Sequence, residues 1–558
     1  MQPSRLRCAL LCALVVPTLM SAQAVGGVGD DARVVPRGTL RVSILSEWTR
    51  YYERYGRSTP GRKDGALEPL GVDFTFDTLG PLRLASLAPI EAGVRALSGM
   101  PDFNASLGKI GVQVRDRLVT TPLAIDVGLT QRLTVGVVIP FVTATSEVDL
   151  RANPTGREST LGFNPTLSTP AAFSANALLL AQFDSAAAQL NQRLSFCGNN
   201  PSVTGCGSLN ANAASARDLI AKANGFATGL GQIYGGRNGS KGALFVPISG
   251  TTAQAAIESR VAAYRALYAT FGATALTATG PFPAQVPLTS SDVQRVITDS
   301  AFGIRAQPLA GSIARGLGDV DVSVKFRVVD TFGKTVDERA APKGFGWRQS
   351  VGAVYRLGTG TRSAPDNFTD LGTGDHQNDI EMRSFTDLSF GGRLWVALVA
   401  RYNIQMADER VTRIPESPDK PLAAAYRQQT VKRDLGDELD VSVSPRWTFN
   451  ESVGLSGYYS YRRKFSDAYS GTFTVSNLLG QPERIDAAVL GLETEAREHR
   501  FGGGVTYSTV AAFERGAAAF PVEVTYFHFQ TTLGSGGSVP KLSMDQLQVR
   551  LYRRLFGR

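Results

Sequence analysis

Residues Val320–Val328 read VDVSVKFRV. Successive side chains of a strand point to opposite faces. Val320, Val322, Val324, Phe326 and Val328 therefore share one face, and Asp321, Ser323, Lys325 and Arg327 share the other. One face is wholly apolar and its back carries full charges, as suits a wall with lipid on one side and water or polar filler on the other. The contrast returns where Leu439, Val441, Val443, Pro445 and Trp447 alternate with Asp440, Ser442, Ser444 and Arg446. It returns again where Leu123, Ile125, Val127 and Leu129 alternate with Ala124, Asp126 and Gly128.

A soluble sandwich also alternates, so three further features decide. Many alternating segments run ten residues or longer, whereas soluble strands average about 5–6 and about 9–11 tilted residues cross a bilayer. Connections alternate between tight turns, at Thr130-Gln131, Gly391-Gly392 and Asn450-Glu451, and long polar loops near 358–377, 407–434 and 465–493. That asymmetry belongs to outer-membrane barrels, whose long loops lie outside the cell. Aromatic residues gather towards strand ends, at Trp48, Tyr51, Tyr52, Trp447, Tyr459, Tyr461, Tyr526, Phe527 and Phe529, as interface girdles would.

The expected fold is therefore all-β, a transmembrane antiparallel β-barrel with a large α-helical insert. Candidate strands fall at 38–50, 68–79, 107–117, 119–129, 132–147, 317–330, 343–357, 378–390, 393–405, 436–448, 453–465, 495–509, 518–531 and 541–556. The count is about 14, an even number that leaves both chain ends on one side, with about 12 as second choice if 107–129 is one strand and 68–79 does not pair. The last strand ends on the aromatic Phe556, as a barrel-insertion signal would.

Between 150 and 316 the pattern changes to helix. Residues 171–194 and 214–230 are rich in Ala and Leu, and Ile257, Val261, Tyr264, Leu267 and Tyr268 form one helical stripe. Ser290-Ser291-Asp292 opens a further short helix through Val293, Val296 and Ile297. By parity the insert belongs on the extracellular side, where it could cap the barrel, enter the lumen or project.

Arg5 and Arg7, the apolar stretch Ala9–Met20 and the small residues Ala22-Gln23-Ala24 read as a signal peptide. The domains expected are thus signal peptide 1–24, first barrel part 25–150, helical insert 151–316 and second barrel part 317–558. Beyond the signal no run of about 20 apolar residues could form a spanning helix. Export makes Cys197 and Cys206, in CGNNPSVTGC, a disulfide pair. The composition, 43% hydrophobic with 58 glycines and 19% charged residues, excludes a disordered chain. The net charge of +9 is scattered along alternating strands, which argues against nucleic acid.

The run Thr121–Val142, TPLAIDVGLTQRLTVGVVIPFV, resembles the first hairpin of the outer-membrane family named for the meta-pathway of phenol degradation. There a strand ends in a Gly-Leu-Thr-like turn, here Gly128-Leu129-Thr130, and the next ends in Pro and an aromatic, here Pro140-Phe141. Gly316-Leu317-Gly318-Asp319-Val320 resembles the family's Gly-Leu-Gly-Asp strand opening, and LGTGTRSAPDNFTDLGTGDHQND, 357–379, its Gly-Thr-Gly-rich loop. The resemblance covers roughly 120–145 and 316–406, and implies a transporter of hydrophobic or aromatic compounds. The helical insert departs from the family's compact pattern.

In such a barrel the working residues line the lumen. Asp126, Asp321, Lys325, Arg327, Arg348, Arg356, Arg401, Asp440, Arg446 and Arg462 are the candidates, either selecting solutes by charge or bracing the interior as ion pairs. Gly136, Gly352 and Gly454 are read as relieving strain where the wall bends, with room for lumen side chains as the alternative. The loop GTGDHQND, 372–379, offers oxygens to Ca²⁺ but matches no EF-hand, so a solvated turn is expected and no metal. His376, His499 and His528 stand beside no nucleophile motif, so no catalysis and no cofactor are expected. No plug domain is expected in the about a dozen residues ahead of the first strand.

The function expected is passive passage of small hydrophobic or aromatic solutes through the bacterial outer membrane. The alternatives are an occluded barrel whose insert binds partners, and an outer-membrane hydrolase. Expected partners are outer-membrane lipids and lipopolysaccharide, a small solute, and the barrel-assembly machinery.

Overall fold

The computed structural model describes residues 29–56, 63–156, 159–333, 335, 338–339, 342–478 and 480–555. The signal peptide and Phe556 lie outside the described residues. Twelve strands close on themselves: β1 (Thr39–Tyr51), β2 (Ile110–Gly128), β3 (Leu133–Ala152), β4 (Val320–Asp330), β5 (Phe345–Leu357), β6 (Asp379–Phe390), β7 (Leu394–Gln405), β8 (Glu438–Thr448), β9 (Val453–Lys464), β10 (Ala496–Ser508), β11 (Val522–Ser535) and β12 (Ser543–Arg554). Each is antiparallel to the next, and β12 returns to β1 with Thr39 opposite Arg554 and Arg50 opposite Ser543. Eleven to fourteen residues at ~3.3 Å each, tilted by about 40°, rise roughly 30 Å, the thickness of the hydrocarbon layer.

The outer face is an apolar belt: Ile44, Val324, Val351, Leu398, Val441, Leu455, Val505 and Leu551 are all exposed. A ring without edges pairs the backbone internally, which is how strands cross lipid, and the belt places the barrel in the bacterial outer membrane. The alternation read from VDVSVKFRV holds, with Val322, Val324, Phe326 and Val328 facing out.

Twelve strands replace the first count of fourteen for two reasons. No turn residue separates 107–117 from 119–129, and these form the single strand β2. Segment 68–79 gives a three-residue strand, Leu67–Pro69, paired with Glu53–Tyr55, then a 3-10 turn at Leu70–Phe74 and a single bridge from Phe76 to Ile110 of β2. Pro69 has no N–H to extend a ladder, and a side chain on Gly71 would sit 2.1 Å from the Val112 carbonyl oxygen.

The short strand Ser312–Leu317 continues β4 outward along the same partner, β3, with a step at Gly318-Asp319. The Gly318 N–H donates to the Pro140 carbonyl at 2.8 Å, so the Gly-Leu-Gly-Asp stretch is a break within one wall. The Asp319 carboxylate accepts from the backbone N–H of Gly360 (2.8 Å) and Asp375 (3.2 Å). Side chains on Gly360 or Gly374 would sit within about 3 Å of that carboxylate, which is why the loop is glycine-rich.

Tight turns join β2 to β3, β6 to β7 and β8 to β9. Thr130 Oγ1 accepts from Arg132 and Leu133, Gly391 and Gly392 take positive φ, and Asn450 Oδ1 accepts from Ser452 and Val453. The chain's entry into β1 lies at this turn end.

At the loop end, β2 and β3 outrun their neighbours at 19 and 20 residues. Helices α1 (Ala88–Ser98), α2 (Pro170–Asn199), α3 (Cys206–Ala211), α4 (Ala213–Tyr234), α5 (Thr252–Thr270) and α6 (Ser290–Thr298) pack beside this ribbon around Leu87, Val94, Phe183, Leu190, Ala223, Ile257 and Val261. Ile110 and Val112 of β2 join the same core. Cys197 and Cys206 are disulfide-bonded between α2 and α3. The insert is stitched to the loops: Arg413 donates to the carbonyls of Ile304 (2.5 Å), Arg305 (2.8 Å) and Ala423 (2.9 Å), and Gln307 N–H donates to Asp366 O at 2.7 Å.

Candidate functional site

Every second residue of each strand projects into the lumen, and the charged ones meet across strands. Asp126 on β2 pairs with Arg41 on β1 at 2.9 Å. Asp321 on β4 takes Arg356 of β5 at 2.9 Å, and Asp379 lies 3.5 Å from the same guanidinium. Arg327 pairs with Asp330 at 2.8 Å and Arg348 reaches Asp330 (3.2 Å) and Asp387 (3.7 Å). Arg401 faces Asp440 at 3.6 Å, Arg462 holds Glu438 at 2.6 Å, and Arg446 lies over the Trp395 ring at 5.1 Å. All ten candidates thus lie on the polar side of their strands. Asp126, Lys325 and Arg401 line one cavity of about 400 Å³, while Arg348 and Arg446 lie nearer the turn end around a void of about 20 Å³.

The segment before β1 separates these two spaces. Gly29–Pro36 enters the barrel, with Ala32, Arg33, Val34 and Val35 all buried. Its backbone is held at each step: Ala32 N–H donates to Asp387 Oδ1 at 3.1 Å, Ser350 Oγ donates to Ala32 O at 2.6 Å, and Val35 N–H donates to Thr134 Oγ1 at 2.8 Å. Arg33 binds Asp31 at 2.6 Å and Glu523 at 3.3 Å, and Glu523 in turn takes Arg550 at 2.6 Å. Gly128 permits the entry, because a side chain there would lie 2.0 Å from Pro36 O. No plug domain was expected ahead of β1, and what enters the bore is a short segment: a few residues suffice in a twelve-strand barrel, since buried ion pairs do the filling that a domain does in a wider one.

Asp30 heads this segment and points into the larger cavity. Lys325 approaches its carboxylate at 3.2 Å, Arg383 at 3.7 Å and Arg401 at 3.9 Å. On the same cavity, Tyr458, Phe527 and Phe529 form an aromatic cluster, with Tyr458 to Phe527 at 5.2 Å and Phe527 to Phe529 at 5.1 Å between ring centres. Lys325 Nζ also lies 3.7 Å from the centre of the Phe385 ring. Phe527 and Phe529 were expected in an interface girdle and face the lumen instead. In TYFHF alternation puts Tyr526 and His528 outside, and the density of rings hides which two turn inward. Trp48, Trp447 and Tyr526 remain exposed on the outer surface.

Gly136 leaves room for the Asp126 carboxylate, for a side chain there would lie 2.3 Å from its Oδ1. His528 pairs with Asp545 at 2.9 Å, and Tyr526 donates to the same carboxylate at 2.8 Å, on the outer wall away from the cavity. His376 Nδ1–H donates to Gly360 O at 2.8 Å in a loop, and His499 lies 3.0 Å from the Tyr459 hydroxyl. Among the described residues no group of three or more His, Cys, Asp or Glu could hold a metal ion. The cavity lining comes from strands and the entering segment, with none from residues 151–316.

Sequence reasoning missed Asp30, Asp31, Arg33, Arg41, Arg383, Glu523 and Arg550. Arg41 and Arg550 were legible from the alternation in TLRVSIL and QLQVRLY. The charged run DDAR at 30–33 was the signal for the entering segment, but nothing in four residues says which side of a wall they take.

No family model matches the chain, and no curated protein matches it. Among solved structures, it is similar to an outer membrane channel from Pseudomonas putida F1, with 7% identity, 94% of this chain and 99% of that chain covered, and a TM-score of 0.39. A FadL homologue of Pseudomonas aeruginosa shares 6% identity over 93% of this chain and 91% of that one, at a TM-score of 0.29. The Pseudomonas putida toluene transporter TodX shares 9% over 96% of both, at a TM-score of 0.25. At these scores the barrel's own geometry, and not the likeness, carries the reading of this chain.

Proposed function

We propose that the protein is a passive channel of the outer membrane for small hydrophobic or aromatic solutes, gated at its turn end by residues 29–36. The observation that carries this is the cavity of about 400 Å³ inside the barrel, walled by both cations and aromatic rings and floored by the entering segment. A volume in that range holds a small molecule. The short turns, the start of β1 and the end of β12 face the periplasm, the insert and long loops face outward, and residues 1–24 act as the export signal. The resemblance of 121–142 and 316–320 to the phenol meta-pathway family supports the solute class. Of the ten lumen residues proposed to act on solutes, those on the cavity set its charge and those nearer the turn end brace the gate.

The test is conductance of purified protein in planar bilayers, together with uptake of a labelled aromatic solute into proteoliposomes. The parent channel should pass current in small, flickering steps, and a variant lacking residues 29–35 should pass several-fold more. The occluded-barrel reading draws on the same segment, and it prevails if the truncated variant is also silent and transports nothing.

A further inference from the structure

Most lumen charges are matched within the wall, but one cluster of three cations has only two wall carboxylates beside it. Arg41 is matched to Asp126 and Arg550 to Glu523, each at under 3 Å. Lys325, Arg383 and Arg401 come from three strands, β4, β6 and β7, and converge on the carboxylate of Asp30, which no strand carries. Arg383 also binds Glu381, and Arg401 faces Asp440 at 3.6 Å, but the carboxylate at Lys325 is that of Asp30. Lys325 and the two arginines remain partly open to the cavity. Asp30 therefore completes a site of three wall cations that faces only two wall carboxylates, and it is the carboxylate on Lys325.

The surroundings define what else would fit. Gly29 lies against the Tyr458 ring, where an added side chain would sit 3.4 Å from Cε2. The segment thus lays backbone on the aromatic cluster and its carboxylate on the cations, the two contacts an aromatic acid would make at once. Aromatic rings favour a flat apolar body, and guanidinium groups favour a carboxylate.

We propose that this chamber is a binding site for a monocarboxylate with an aromatic body, and that Asp30 occupies it as a tethered competitor. This rests on the channel reading and narrows its solute class. Entry of such an anion replaces the Asp30 carboxylate on Lys325, Arg383 and Arg401. The displaced segment loses its outermost anchor, so arrival of solute and loosening of the gate are one event. An uncharged aromatic would meet the rings but leave Asp30 in place.

The experiment compares parent, Asp30→Asn and Lys325→Gln channels in planar bilayers as sodium benzoate, benzyl alcohol or sodium acetate is added. The Asn side chain keeps the shape of Asp30 and removes its charge. Benzoate should alter the current of Asp30→Asn at about tenfold lower concentration than the parent, and of Lys325→Gln only at higher concentration. Benzyl alcohol and acetate should act weakly on all three. Equal benzoate sensitivity of parent and Asp30→Asn overturns the competitor, a benzyl alcohol effect as large as that of benzoate overturns the carboxylate, and an equal acetate effect overturns the aromatic body. If no variant conducts, the channel reading fails separately. Calorimetric titration of benzoate into the detergent-solubilised proteins then decides the site, which stands if Asp30→Asn binds about tenfold more tightly and falls if the affinities match.

Discussion

Arg33 shows how much one side chain can hold in a narrow bore. It is buried, and it ties the entering segment to the wall through Glu523, which is itself held by Arg550. Without the Arg33 guanidinium Glu523 keeps Arg550, but Asp31 loses the cation at 2.6 Å and the segment loses its tie to the wall, a burial cost that it can relieve by leaving. Arg33→Ala should therefore raise mean single-channel conductance several-fold, read in planar bilayers at fixed salt. Glu514, on the short helix Val510–Glu514 at the turn end, is a second case. Burial pushes its carboxyl up from near 4.5 to about 8, with Arg339 opposing only in part. A raised folded-state value means the folded protein keeps a proton that the unfolded chain releases. Stability should be greatest below pH 4.5, fall as pH rises to about 8, and then level off. Glu514→Gln should flatten that slope and raise the Tm at pH 9, measured by heat-modifiable migration on gels. Neither residue announced its role in sequence, because both depend on what stands opposite in space.

At the level of elements, the Gly-Leu-Gly-Asp stretch acts as a fastening. Asp319 takes two backbone N–H groups of the 358–378 loop, and Thr359 and Thr373 hydroxyls donate to the carbonyls of Gly318 and Leu317 at 2.7 and 2.8 Å. Asp319→Ala leaves those N–H donors unpaired at a cost of about 1–3 kcal/mol, so amide exchange across 358–378 should accelerate while the strands stay protected. The disulfide works locally in the same way. Cys197 and Cys206 are nine residues apart, and a loop of that size contributes about 2–3 kcal/mol. Serine at both positions should expose 195–212 to limited proteolysis without changing the barrel's heat-modifiable migration. The paired cysteines and the helices at 171–194, 214–230 and 252–271 were legible, since periodicity and spacing are local. The break at Gly318-Asp319 was visible only as a motif, since its purpose lies in a loop forty residues on.

For the whole molecule, none of the twelve closed strands comes from the insert, although the insert borrows Ile110 and Val112 from the outward part of β2. Replacing 155–311 by a short Gly/Ser linker should leave a barrel that inserts into liposomes and migrates in a heat-dependent way. The β2–β3 ribbon beyond the belt should then lose exchange protection, because half its packing is gone. Failure of that variant to close would show that the insert helps the early strands find each other.

What the sequence settled alone was the wall: period-two alternation with charge behind grease needs only the local geometry of a strand, and it determined the class of fold and the helical interruption. It also permitted two strand counts, because alternation does not say whether a segment such as 68–79 finds a partner. Tertiary structure decided the rest. The path of residues 29–36 through the bore, the convergence of Lys325, Arg383 and Arg401 on Asp30, and the inward turn of Phe527 and Phe529 all join residues tens to hundreds of positions apart. Charges find partners by distance in space, and only closing the cylinder sets those distances.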